Sequence, residues 1–536
     1  MLLSLPSLLS LHSAQESKRA LEYPKMPFQL NHIPSTLRVP KLFLVLSIST
    51  VLLIPCFWHR HIEAGDLGSH VYNAWLAQLI EQGKAPGLYI VRQYDNVLFD
   101  LMLFYLAKPF GLALAEKVAT SLCVLVFFWS LVALTQAASR GTVISGGVPQ
   151  DARSPWFLTP CFAMLTYGYI FHMGFLNYYL SLGLGCLGLA FVWNVPKNGL
   201  IAAAILSPMI LLAHPLGFLW FLGAASYRLL FLRLGDRRKP ILPAGTVAIC
   251  LAARFIVAHH KGYEVEWREA PIWTLTGAGQ FHVFGNRYAF FILAVAAIAI
   301  FSTILACLAA PERRTFWQDR HLLVELYVIS FLATVILPEN LHTDPTGGWI
   351  GALATRLTLV TAIFGLAFLA SLPPRVWHLL AYSIPALIFF TFLYQDTLLL
   401  NRMEDNTRRL TEQLPFGTRV TSTVFAPNDY RTIYIHIPDR ACVGHCWLVS
   451  NYEPSTKQFR LRVQQGSPVV TASVDDSEDM QSGTYDVQEE DLPLKQIYQC
   501  DARDLTQICI RDLAEDEKNG RLGYHPLSNP FFSQNP

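Results

Sequence analysis

A water-soluble chain of 536 residues would be expected to divide into several domains, yet 52% of these residues are hydrophobic and only 15% are charged. Mean hydropathy is +0.34, and a globular surface needs roughly a quarter charged residues to stay wet, so a wholly soluble protein is excluded. The formal net charge of +2 says little about partners, and no basic stripe points to nucleic acid.

Charges are sparse between Pro40 and Thr397 and dense from Asn401 onward. That asymmetry predicts an α-helical polytopic membrane protein followed by a small α+β or mostly-β domain. The apolar run at 1–12 is shorter than the ~20 residues a span requires. No basic stretch precedes it, so a cleaved signal peptide is not expected. Lys18, Arg19, Lys25, Arg38 and Lys41 then mark a cytoplasmic flank. The expected organisation is a disordered cytoplasmic tail at 1–39, a transmembrane domain at 40–397 and an extracytoplasmic domain at 398–536.

Apolar windows place about eleven spans near 41–58, 117–138, 156–173, 176–194, 199–213, 215–231, 241–258, 288–310, 321–338, 349–371 and 376–397. Backbone polar groups in hydrocarbon must be satisfied internally, so each is read as a helix. The stretch 97–113 is apolar on average but interrupted by Asp100, Lys108 and Pro109, and is read as a re-entrant or membrane-surface segment. With the N-terminus inside, this count puts the basic clusters on the cytoplasmic side: Arg140 with Arg153, Lys197, Arg237-Arg238-Lys239, Arg313 with Arg314 and Arg320, and Arg375. The other face then receives the loops 59–96, 259–287 and 339–348 and the C-terminal domain.

Six of the ten cysteines lie in or beside spans, where a free thiol behaves as a small apolar group. The remaining four, Cys442, Cys446, Cys500 and Cys509, fall in the terminal domain. An even number in an exported domain predicts two disulfides. A zinc site with His445 is the alternative, but Cys-x3-Cys with Cys-x8-Cys is not a usual zinc spacing. Strand-like runs at 419–425, 432–436, 459–463 and 469–474 are separated by turn residues, and the acidic stretch 475–491 is expected to be a mobile loop.

The first outer loop is the most informative segment: His61-Ile-Glu-Ala-Gly-Asp-Leu-Gly-Ser-His70. Beyond it, Leu67, Val71, Trp75 and Leu79 fall on one helical face, and Gly83 and Pro86 end the pattern. Such a helix would lie along the outer membrane surface. Asp66 stands at its N-cap position. One reading is a capping aspartate contributing about 1 kcal/mol. The other is a carboxylate facing a membrane-level cleft as a general base, with Glu63 three residues earlier sharing the site.

A first span, an acidic first loop, a surface helix, further spans and a C-terminal exported domain together resemble the GT-C superfamily of membrane glycosyltransferases. These include protein O-mannosyltransferases, oligosaccharyltransferase catalytic subunits and lipid A aminoarabinose transferases. Within the loop, Gly65-Asp66-Leu-Gly-Ser-His70, Ala74 and Gly83-Lys-Ala-Pro86 resemble a Gly-Asp…His…Ala…Gly…Pro pattern. The resemblance implies a polyprenyl-phosphate sugar donor seated among membrane lipid. It also implies an envelope acceptor (protein, lipid or glycan) on the outer face of a bacterial-type inner (plasma) membrane, and Asp66 as the base. The Glu63-x-x-Asp66 spacing departs from the adjacent or one-apart acidic pairs of several members. No cofactor is therefore assigned, and a divalent metal ion stays open.

A departing phosphate needs a cation, and a planar guanidinium suits it. Arg356 near the outer end of the tenth span is the first candidate and Arg92 the second; for Arg356, snorkelling to the interface is the competing reading. His70, His214, Glu266 and His342 are the further substrate-binding candidates. Glu264, Trp267, Arg268, Glu269 and Trp273 surround Glu266 as an acidic-aromatic patch, and Asp344 follows His342. His172, Asn177, Tyr178 and Tyr179 form another outer turn. Arg254 and Glu325 lie within spans, where charge faces a cavity or a partner, and a salt bridge between them is one option. Gly-x4-Gly-Lys-Ser is absent, which disfavours an ATP-driven pump. A transporter or flippase, or a non-catalytic envelope protein anchored by its spans, are the readings from other function classes.

Overall fold

The computed structural model describes residues 41–140, 155–194, 197–234, 239–260, 262–268, 271–343, 348–424, 435–501, 503–504 and 506–519. The tail at 1–39, Glu269 and Asp344 lie outside them. The chain opens with α1 (Lys41–Phe57), and from Thr50 onward it forms one compact unit. There follow α2 (Leu67–Glu81), β1 (Leu88–Ile90), α3 (Leu98–Phe110) and α4 (Leu112–Arg140). The expected span at 156–173 is not one helix. It breaks into a 3-10 turn (Pro155–Leu158), α5 (Thr159–Thr166) and α6 (Tyr169–His172). At the break, the Gln280 side chain accepts from Ile170 N–H at 3.2 Å and donates to Thr358 at 2.6 Å. A side chain thus satisfies backbone that an uninterrupted helix would have satisfied itself.

The remaining helices are α7 (Leu176–Val192), α8 (Lys197–Ala213), α9 (Pro215–Arg233), α10 (Ile241–His259), α11 (Ile272–Leu275), α12 (Ala289–Leu308), α13 (Arg313–Gln318), α14 (His321–Ile336), α15 (Leu353–Ala370) and α16 (Val376–Thr411). Among the described residues, α4, α9, α10, α12, α15 and α16 are long and apolar enough to cross a membrane, and α1, α7, α8 and α14 are shorter apolar helices. With 13 residues, α3 is too short to cross alone. Gly111, at φ +75°, lets the chain turn directly from α3 into α4. The helix α16 runs 36 residues, well past the expected span end, and leads without a break into the C-terminal domain.

Loops expected on one side of the membrane gather at one end of the bundle. Ser139 at the end of α4 donates to the Ala370 carbonyl at 3.0 Å, and Arg320 donates to the Ser371 carbonyl at 2.9 Å. The Phe157 and His378 rings meet at 5.1 Å. At the other end, β2 (Tyr263–Glu266), β3 (Asn340–Thr343) and β4 (Gly348–Ile350) join the loop after α10 to the one after α14 in an antiparallel sheet. Inside the bundle the Arg254–Glu325 salt bridge does not form. Arg254 donates to the Ile336 carbonyl and lies 3.7 Å over the Trp267 ring. Glu325 accepts instead from Tyr227 at 2.9 Å and lies 3.2 Å from His321.

The C-terminal domain is α+β. Its four-stranded sheet has the order β6 (Cys446–Leu448), β5 (Thr418–Thr423), β8 (Lys495–Gln499), β9 (Ile508–Asp512). β5 is parallel to both neighbours, and β8 and β9 are antiparallel. β7 (Leu461–Val463) leaves this sheet to pair with β1 of the first loop. The expected strand at 469–474 is absent, and the acidic stretch after it is not a loop. Ser473 caps a helix at Val474–Ser482, with Asp475 and Asp476 in its first turn. Carboxylates there complement the positive helix end, and Met480 reaches the core beside Val449, Val487 and Leu494. Of the strand expected at 432–436, residues up to 434 lie outside the described set, and His436 precedes a short helix, Ile437–Ala441. Both disulfides form, Cys442–Cys446 and Cys500–Cys509, which displaces the zinc reading.

Arg440, on that short helix, locks the domain to the membrane-embedded body. Its guanidinium meets Glu404 of α16 at 2.5 and 2.7 Å, Glu116 of α4 at 2.6 Å and Glu63 of the first loop at 3.5 Å. It also donates to the Ile62 carbonyl at 3.1 Å. All four ionisable side chains are buried. Removing one partner from such a cluster strands uncompensated charge, at a cost of about 3–5 kcal/mol. Arg440→Ala is expected to lose that much stability in denaturant unfolding of the detergent-solubilised protein. A loss below about 1 kcal/mol would show that the cluster does not hold the domain in place.

Candidate functional site

The first loop enters the fold between α1 and α2, and one turn elsewhere in the chain holds it. Gly65 N–H donates to the His172 carbonyl at 2.8 Å and Asp66 N–H to the Met173 carbonyl at 3.2 Å. His172 Nδ1–H donates back to the Glu63 carbonyl at 2.8 Å. Gly174 follows at φ +80°, and a Cβ there would lie 2.2 Å from the Asp66 nitrogen, so only glycine allows the approach. Asp66 does occupy the N-cap position of α2, but its side chain makes no capping hydrogen bond. The capping reading therefore does not account for the carboxylate. It is one-fifth exposed, and Oδ1 lies 3.4 Å from Nε2 of His436.

The same turn positions Arg356. The guanidinium lies 4.2 Å over the Phe175 ring and 5.9 Å from the Tyr178 ring, and Tyr178 Oη–H donates to the Arg356 carbonyl at 2.8 Å. Aromatic faces hold a cation in place without consuming its hydrogen-bond donors. Arg356 Nε is buried with no hydrogen-bond partner, and the side chain is within electrostatic reach of Asp66. His214 packs edge-on against Tyr178 at 5.3 Å, while its Nδ1 caps α9 by accepting from Leu216 N–H. Asp66, Arg356 and His214 are therefore brought to one region.

His436 sits between two carboxylates. Its Nδ1 lies 3.4 Å from Asp439 Oδ2 while Nε2 faces Asp66. Burial pulls the imidazole pKa down, but Asp439 and then Asp66 outweigh it and push it up to about 10. The ring is a cation at neutral pH. Burial lifts the Asp439 carboxyl above its usual range against the pull of His436.

Other residues singled out in the sequence lie elsewhere. Glu63 does not share a site with Asp66: its carboxylate is fully buried, accepts from Asn401 at 2.8 Å and faces Arg440. Burial first, then the neighbouring Glu404, holds its carboxyl well above the usual range in spite of Arg440. Glu63 and Asp66 thus do not converge on a shared cation. No group of three or more His, Cys, Asp or Glu able to hold a metal occurs among the described residues. His70 pairs with Asp100 of α3 at 2.7 Å, and Asn177 of α7 donates to the same carboxylate at 2.8 Å. Burial disfavours the His70 cation, yet Asp100 raises its pKa to about 9. This pair explains how α3 tolerates a buried aspartate: it ties α2, α3 and α7 together. Arg92 is exposed beyond β1. Glu266 and His342 meet across β2 and β3 at 4.0 Å, on the exposed side of the small sheet.

His436, Asp439 and Arg440 were not among the candidates. Ile437-Pro-Asp-Arg440, ending two residues before Cys442, offers one weak local signal, a proline followed by a charge pair at a helix start. Asp66, Glu63 and Glu116 lie more than 300 residues away in sequence and cannot be read locally.

No protein-family model matches the chain, and no curated protein sequence matches it. Among solved structures the chain is similar to ArnT from Cupriavidus metallidurans bound to undecaprenyl phosphate. The TM-score is 0.49 and the identity 12%, over 88% of this chain and 98% of that one. At that level the likeness assigns no residue here a role.

The His436 geometry has a pH consequence. A histidine whose folded pKa lies above its unfolded value of roughly 6.5 stabilises the fold fully below the unfolded value and progressively less as pH rises through the folded one. The unfolding midpoint of the wild type should therefore exceed that of His436→Gln most clearly at pH 6. The gap should narrow as pH approaches about 10. A gap that widens with pH would contradict an imidazolium held between Asp66 and Asp439.

Proposed function

We propose that this chain is a membrane glycosyltransferase that moves a sugar from a polyprenyl-phosphate-linked donor to an acceptor hydroxyl. Transfer occurs on the extracytoplasmic face, where the first loop meets the C-terminal domain. The observation that carries the reading is Asp66, a partly exposed carboxylate not used as a cap, standing within electrostatic reach of Arg356. The first-loop resemblance supplies the donor class. In the transfer, the acceptor oxygen forms a bond to the anomeric carbon as the bond from that carbon to the phosphate oxygen breaks. The acceptor proton goes to Asp66, and the phosphate leaves with the bonding electron pair, its growing charge stabilised by Arg356. His214 and Tyr178 line the side of Arg356. The acceptor is an envelope protein, lipid or glycan.

General bases contribute about 10²–10⁴-fold, so Asp66→Asn should lower transfer by that factor while membrane insertion stays at the wild-type level. The assay follows chain-dependent release of label from the radiolabelled lipid-linked sugar pool of the host membrane. Undiminished transfer by Asp66→Asn would remove Asp66 as the base. The sidedness is tested separately with Lys84→Cys, an exposed position just beyond α2. A membrane-impermeant maleimide should label it in intact cells, and labelling only after the cells are opened would place the first loop in the cytosol and end this reading.

A further inference from the structure

We propose that His436 is a positioning residue for Asp66, so that the C-terminal domain completes the active site of the transferase. This rests on the functional reading above. The two ring nitrogens each lie 3.4 Å from one carboxylate, Asp66 on one side and Asp439 on the other, ion-pair contacts in which the buried Nδ1 makes no hydrogen bond. The two carboxylates differ in exposure: Asp439 is 2% exposed and the Asp66 side chain 20%. The inner aspartate therefore anchors the ring, and the ring holds one oxygen of the outer aspartate. The other oxygen of Asp66 is left to face an acceptor.

The ring's own position is fixed from several sides. Its backbone packs on the first turn of α2 so closely that a Cβ on Gly68 would lie 2.2 Å from the His436 carbonyl oxygen. The helix that follows it carries Arg440 into the buried acid cluster and ends at the Cys442–Cys446 disulfide. The groups facing the imidazole are Asp66 from the first loop, Asp439 from its own helix, and the Tyr452 ring at 5.8 Å from the helix Tyr452–Thr456. The cation also screens Asp66 from the buried charge of Asp439. Without it, two carboxylates would oppose one another across the gap, and the outer one would hold its proton to higher pH.

The test compares His436→Gln and Asp439→Asn with the wild type and with Asp66→Asn in the lipid-linked sugar transfer assay, across pH. His436→Gln keeps a donor toward Asp66 but not the charge. We expect kcat to fall about 10–100-fold, as for a misplaced catalytic group, with the donor KM unchanged. The acid limb of the pH profile should move up by about one unit. Asp439→Asn leaves the imidazole less strongly cationic, so the alkaline limb should move down. A purely structural role would lower the amount of folded enzyme without moving either limb. If His436→Gln fails to fold, the Asp439→Asn alkaline limb decides. Wild-type kcat and limbs in the folded variants, with Asp66→Asn inactive, would overturn this proposal and leave the function standing. An active Asp66→Asn would overturn the function itself.

Discussion

The fold turns on one guanidinium enclosed by three carboxylates. Arg440 is the C-terminal domain's contribution; Glu63, Glu116 and Glu404 come from the first loop, α4 and α16. Burying any of these charges alone would cost several kcal/mol, so none is tolerable unless all parts arrive together. Burial and then Glu404 push the Glu63 carboxyl well above the usual range, against the pull of Arg440. His61, pushed down to about 2 by burial and then by Arg440, stays neutral beside the cluster. Such a cluster gives the domain one seat on the helices, because sliding the short helix Ile437–Ala441 by a single turn would break every contact at once. It contributes registry more than net stability, the role for which buried ion pairs are best suited.

On the opposite side of the first loop, residues 172–178 do by backbone and aromatic contacts what Arg440 does by charge. His172 and Met173 carbonyls hold Gly65 and Asp66, while Phe175 and Tyr178 hold Arg356 and its backbone. The candidate site is therefore built from four distant segments: the first loop, the turn before α7, the start of α15 and the start of the helix at 437. Each contributes one side chain or one wall. A domain that looks like a soluble appendage in composition is in fact part of the site's frame, joined a second time by the β1–β7 pairing.

Legibility in the sequence followed the range of the interaction responsible. The apolar helices were visible because hydrocarbon demands internally satisfied backbone over a whole span, and most windows became continuous helices with ends near those expected. The broken segment at 155–172 was not visible, because its interruption is sustained by Gln280, more than a hundred residues downstream. Strands β6, β8 and β9 were missed: a three-residue strand such as Cys446–Leu448 shows no alternation, and a central strand buried on both faces need not alternate. Asp66 was identifiable from its local pattern. Its partner His436 was not, because nothing near residue 436 indicates that it packs on Gly68. The two disulfides were legible from compartment logic, while the pairing of His70 with Asp100 was not, because it depends on α3 folding back over α2.

Glu63 and Asp66 show how environment divides two like residues three positions apart. The chain turns at Gly65, where its N–H is bound to the His172 carbonyl, and the two side chains leave in different directions. Glu63 is buried, where an acid costs less neutral than charged, and is a hydrogen-bonding partner of Asn401. Asp66 stays at the surface of the same body, next to an imidazolium rather than another acid. A base must be ionised, must be reachable and must not be engaged on both oxygens. Of the first loop's acids, Asp66 is partly exposed and Glu63 is buried. Arg440 takes up the neighbouring glutamate, and His436 lies against one oxygen of the aspartate. The division of roles is set by charges that the C-terminal domain brings to the loop.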